Sequence, residues 1–114
     1  MSSFFRSLSS FTAKEIEQFF RSVTFTYKSA DLKFIFSPAQ KANGRILLVV
    51  PNYFGNAPKR NQLKRRLKSV FIGMRLFEHN FDVSIKPVAK KNINFAEIET
   101  QIKTAYNKLL ASHK

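Results

Sequence analysis

The chain has 114 residues, enough for one domain with a modest core of its own. Twenty Lys and Arg face seven Asp and Glu, a formal net charge of +13, while 44% of residues are hydrophobic, so the chain is expected to fold and to present a cationic surface. It has no Cys, which excludes disulfides and thiolate metal sites, and no apolar run approaches the length of a membrane span.

The distribution of charge says more than its sum. No acid occurs between Asp31 and Glu78, and that interval carries ten basic residues. A field of one sign this long points to nucleic acid ahead of an anionic membrane. A membrane role is disfavoured further because the apolar stripe of the basic helix described below is needed for the core. The expected setting is the cytoplasm.

Residues 1–11, rich in Ser and Phe, are read as a flexible N-terminal arm. They lack the apolar core and cleavage signature of a signal peptide. Residues 12–110 form the single domain, and 111–114 a frayed tail. Thr12 and Glu15 fit a capping box that opens a first helix over about 13–21, with Ile16, Phe19 and Phe20 on its apolar side. Val23, Phe25 and Tyr27 then alternate with Thr24, Thr26 and Lys28 as a strand. Across a tight turn at 29–31, Leu32, Phe34 and Phe36 alternate with Lys33, Ile35 and Ser37, giving the second arm of a hairpin. Residues 38–44 make a loop. The unbroken apolar run Ile46–Val50 reads as a central strand covered on both faces, ended by Pro51.

Gly55 and Asn56 introduce the next element, with Asn56 as N-cap and Pro58 in the first turn. Leu63, Leu67, Val70, Phe71 and Met74 recur at helical spacing, predicting a helix over about 58–72 with one buried stripe. Asn61, Lys64, Arg65 and Lys68 fall away from that stripe, and Lys59 and Arg60 lie in the first turn. The result is a greasy back, a cationic front and an N-terminus that favours phosphate. Phe81, Val83 and Ile85 alternate with Asp82, Ser84 and Lys86 in a fourth strand. Asn94 and Glu97 cap a last helix lined by Phe95, Ile98, Ile102, Ala105 and Leu109. The strand–helix–strand unit should make its two strands parallel neighbours.

No catalytic constellation is present. His79 and His113 have no partner at triad or metal-ligand spacing, and Glu15/Glu17 and Glu97/Glu99 lie two residues apart on helices, where side chains diverge. Gly55-Asn56-Ala57 lacks the glycine spacing and terminal Lys-Ser/Thr of a phosphate loop. With thirteen Phe and three Tyr, some aromatics are left over for stacking on single-stranded bases beside the cationic walls.

Gly55-Asn56-Ala57-x-x-Arg60-Asn61-x-x-Lys64-Arg65-x-Leu67 resembles the signature of the bacterial ribonuclease P protein component, and the order of elements over about residues 11–110 is similar to that family's. The resemblance implies an α+β fold, a two-layer αβββαβα sandwich of the ribosomal-protein-like superfamily with a left-handed βαβ crossover. It implies a protein subunit with no catalytic residues and no bound metal. The catalytic RNA, with Mg²⁺, would cleave the 5′ leader from precursor tRNA, and the protein would be a monomer in a 1:1 complex with that RNA. By the same resemblance Gly55, Asn56, Lys59, Arg60, Asn61, Lys64, Arg65 and Lys68 would contact the RNA. Phe20, and Phe34 or Phe36, would line a cleft for the leader, with Ile16 where an aromatic is common. Three features depart from the pattern: Pro51-Asn52-Tyr53 replaces a Ser-Lys-Lys type sequence, Gln62 replaces an arginine, and Ile72 replaces another. Arg66 and Arg75 could restore part of the charge. The alternative is a non-catalytic RNA- or ribosome-binding protein of the same fold. An RNA-recognition-motif domain is excluded by the order of elements.

Overall fold

The computed structural model describes residues 3–88 and 90–113. Its helices are α1 (Ser3–Ser7), α2 (Ala13–Arg21), α3 (Ala57–Gly73) and α4 (Phe95–Ser112), and its strands β1 (Phe25–Lys28), β2 (Leu32–Pro38), β3 (Ile46–Leu48) and β4 (Phe81–Pro87). Each long helix starts where the sequence places a cap. The Thr12 hydroxyl accepts from the Glu15 N–H at 3.2 Å while the Glu15 carboxylate accepts from the Thr12 N–H at 2.8 Å. Asn94 and Glu97 repeat this reciprocal arrangement, and Asn56 accepts from the Lys59 N–H at 3.1 Å.

The four strands form one sheet in the order β1-β2-β4-β3. β1 and β2 are an antiparallel hairpin, β2 and β4 are antiparallel, and β3 runs parallel to β4, as the strand–helix–strand unit requires. Register divides the side chains between two faces. Phe25 pairs with Phe36, Phe36 with Val83, and Val83 with Ile46; in the neighbouring row Tyr27, Phe34, Ile85 and Leu48 align. This face is sealed by Leu63, Leu67, Val70 and Phe71 of α3 and by Ile98, Ile102, Ala105, Tyr106 and Leu109 of α4. The Phe36 ring meets Tyr106 edge-on at 5.1 Å. Gln101 of α4 closes the hairpin turn, accepting from the Ser29 hydroxyl and the Asp31 N–H and donating to the Asp31 carboxylate at 2.8 Å.

Three expectations are corrected. From Ser3 onward the arm is packed: α1 leads into Leu8, which is 1% exposed in the core, and the Leu8 carbonyl accepts from the Ile46 N–H at 2.7 Å on the outer side of β3. β3 is an edge strand, because β4 occupies the central position beside it. Ile46 and Leu48 enter the core, whereas Leu47 and Val49 turn to the opposite face, Val49 being 36% exposed. Phe95, expected among the buried positions of α4, is 50% exposed and lies under the Arg66 guanidinium at 5.7 Å. It stands at the helix's first residue, just short of where the buried stripe begins at Ile98.

Candidate nucleic-acid interface

The second face of the sheet is only partly covered. Asp82 alternates with the core residue Val83 and therefore points away from α3 and α4, and it is joined to α2 through Arg45. Arg45 Nη1 donates to the Ser10 carbonyl at 2.7 Å and to the Glu15 carboxylate at 3.1 Å, Nη2 lies 3.9 Å from Asp82, and the guanidinium sits 4.0 Å over the Phe11 ring. The Arg45 N–H also donates to Asp82 at 2.9 Å. This knot fixes α2 across one end of the face. Burial pushes the Asp82 carboxyl above its ordinary range, opposed by the N–H and charge of Arg45. Glu15 is held down to about 2, chiefly by the Thr12 N–H and then by Arg45.

Beyond α2 the face is open, and two rows of side chains cross it. One runs Thr26, Ile35, Ser84, Leu47; the other contains Lys28, Lys33 and Lys86, each paired in register with the next. All three lysines are exposed. Like charges directly opposite one another destabilise a sheet, so three in a row concentrate positive charge that, among the described residues, no acid of the sheet's open face offsets. The Val49 N–H donates to the Ile85 carbonyl, extending β3 alongside Lys86, and the chain then passes through a single 3₁₀ turn, Asn52–Phe54, into α3. The Tyr53 hydroxyl donates to the Pro87 carbonyl at 3.3 Å, leaving its ring half-exposed between the lysine row and the start of α3.

The sequence-predicted cleft residues separate. Phe20 is 48% exposed on α2, its ring edge-on to buried Phe19 at 5.0 Å. Phe34 and Phe36 are 0% exposed and stacked on one another under α4, so they are core and line no cleft. Alternation had put them on one side of β2 without saying which side the long helices cover. Ile35, on the other side, is the apolar β2 residue on the open face, beside Lys33 of the same strand. Lys28, Lys33 and Lys86 were legible as outward-facing positions; only the pairing register brings them together.

On α3, Lys59, Asn61 and Arg65 are exposed and Arg60, Lys64 and Lys68 half-buried, beside a stripe whose Leu67 and Phe71 are wholly enclosed. Arg60 is turned back on the preceding loop, donating to Asn52 Oδ1 at 2.8 Å and to the Gly55 carbonyl at 3.3 Å. It therefore braces the helix N-terminus as well as charging it. Gly55 has φ 158° and ψ −169°, a conformation L side chains rarely adopt, and Asn56 caps the helix. Of the two arginines that could restore charge, Arg75 is paired with Glu78 at 2.7 Å, while Arg66 donates to the neutral Ile93 carbonyl at 2.9 Å and keeps its charge. His79 lies 5.5 Å from the Tyr106 ring and His113 5.0 Å from that of Phe81. Among the described residues no three His, Cys, Asp or Glu converge as a metal site, and no helix is long and apolar enough to cross a membrane.

Comparison with solved structures places this architecture. RNase P protein from Thermotoga maritima superimposes with a TM-score of 0.71 at 19% identity, covering 84% of this chain and 92% of that one. RNase P protein from Staphylococcus aureus superimposes with a TM-score of 0.75 at 12% identity, covering 90% and 94%. A mutant of the Staphylococcus aureus protein with defective mRNA degradation activity gives 0.76 at 13% identity, covering 95% and 92%. At these identities the likeness establishes the fold. A search of curated protein sequences gives no match. The family model for ribonuclease P matches residues 10–110, from the turn before α2 almost to the end of α4. With the signature on α3 and the fold in agreement, the chain belongs to the ribonuclease P family, as a protein subunit that serves tRNA processing.

Proposed function

We propose that this subunit works through two cationic surfaces at one end of the sheet. The exposed side of α3, with Lys59, Asn61, Lys64, Arg65 and Lys68 and the loop at Gly55 and Asn56, binds the ribonuclease P RNA. The open sheet face holds the single-stranded 5′ leader of precursor tRNA. The in-register row Lys28–Lys33–Lys86 carries this reading, because it concentrates like charge where only an anionic ligand offsets the repulsion. Phe20 and Tyr53 offer exposed rings at its margins, on which bases stack without sequence preference.

Chemistry is assigned to the RNA with its Mg²⁺. Six of the seven acids here are engaged by internal cations: Glu15 and Asp82 by Arg45, Glu17 by Arg21, Asp31 and Glu97 by Lys91, and Glu78 by Arg75. These side chains do not fit a Mg²⁺ site. What they leave is a surface that neutralises crowded phosphates, and this lowers the Mg²⁺ needed to hold RNA and substrate together. The reading takes one chain per RNA, acting in the cytoplasm.

Reconstitution with the ribonuclease P RNA of the same genome tests the reading. At low Mg²⁺ the protein should stimulate precursor tRNA cleavage, and Arg60→Glu with Arg65→Glu should weaken RNA association by about a hundred-fold or more at physiological salt. Cleavage undiminished in that double variant would remove α3 as the RNA surface. RNA affinity without stimulation of cleavage would instead favour a non-catalytic RNA-binding role.

A further inference from the structure

The C-terminal half of α3 borders a depression of about 590 Å³ lined by Phe5, Arg65, Lys68, Ser69, Ile72 and Gly73. Phe5, on α1, is half-buried against the core, so the packed arm supplies one wall. Ile72 supplies apolar surface from the helix, and at Gly73 the backbone is bare: a Cβ there would meet no atom within 4 Å. Among its lining residues only Arg65 and Lys68 are charged. Depressions beside α4 and beside Glu15 each include a carboxylate, and this one does not.

We infer that this depression receives one unpaired base of the partner RNA, stacked against Phe5 and Ile72, with a flanking phosphate held by Arg65 and Lys68. Each part answers a different part of a nucleotide. An aromatic face and an aliphatic side chain take the flat base, the bare helix surface lets it approach, and a guanidinium with an ammonium one turn away takes the phosphate. The same position explains why an isoleucine is useful at residue 72, where the resemblance leads one to expect another cation. The inference rests on the reading of α3 as the RNA surface, and the experiment separates the two.

The chain contains no Trp, so Phe5→Trp introduces a single indole where the base should stack. Titration with ribonuclease P RNA should quench its emission while affinity stays near that of the parent. Phe5→Ala should weaken RNA binding about ten-fold and leave the salt dependence unchanged, since no phosphate contact is lost. Arg65→Gln should weaken binding and lower the salt slope by about one. If Arg65→Gln has no effect, the assignment of α3 to RNA fails. If Arg65→Gln behaves as expected but the Phe5→Trp emission is unchanged at saturating RNA, the base site alone is overturned. Quenching that appears only when precursor tRNA is added would give the depression to substrate and overturn it too. Phe5→Trp keeps an aromatic ring against the core, so this readout stands even where Phe5→Ala loosens the arm.

Discussion

Arg45 shows how much depends on one side chain. Only 4% exposed, it joins the carbonyl of Ser10, the capping carboxylate of α2 and buried Asp82. In the sequence it counts as one more cation in an acid-free interval, because its partners lie 30 to 37 residues away and no local pattern announces them. Arg45→Met keeps the stem but leaves Asp82 buried without its cation, and should cost about 3 kcal/mol in urea unfolding. The pH dependence follows from Glu15. Its folded-state pKa of about 2 lies below the ordinary 4.5, so its contribution is complete above the ordinary value and is lost as pH falls from there towards 2. The stability difference between the parent and Glu15→Gln should therefore shrink over that window. A difference that stays constant from pH 6 down to about pH 2 would contradict the assignment. Asp82, shifted upward by burial, works in the opposite sense: its ionisation costs stability as pH rises through its raised pKa.

Among the elements, α3 was one of the most legible. Its cap, its early Pro and its leucine stripe act locally, and its observed bounds, Ala57–Gly73, lie within one residue of those predicted. Gly73 ends it with a helical backbone and open space around the missing side chain. Gly73→Ala should raise stability by about 0.5 kcal/mol, seen as a higher melting temperature, because only the unfolded chain loses freedom. β3 was misread for an instructive reason. A run of apolar residues looks the same whether protein covers both faces or leaves one face open. Leu47 and Val49 belong to the second case. Phe34 and Phe36 failed similarly: period-two alternation separates the faces of β2 but does not say which one α4 will cover, and α4 covers the side that holds these two rings. Capping and periodicity are read from a few neighbouring residues, whereas strand order depends on pairings between β2 and β4, up to 55 residues apart.

At the scale of the molecule, the sheet is a partition. One side holds the core under α3 and α4; the other carries α2, pinned by Arg45, and the exposed lysine row. The cations of α3 face outward from the core side, so the two basic surfaces belong to different layers and meet only around Tyr53 and the turn into α3. They should be separable by mutation. The most direct measurement is the affinity of the reconstituted particle for precursor and for mature tRNA, with Lys33→Gln and Lys86→Gln introduced together. The account predicts that association with the ribonuclease P RNA is kept within about two-fold while the preference for precursor over mature tRNA falls by about ten-fold, the loss expected for two phosphate contacts on a single strand. A preference that survives unchanged in a particle that still assembles would contradict it.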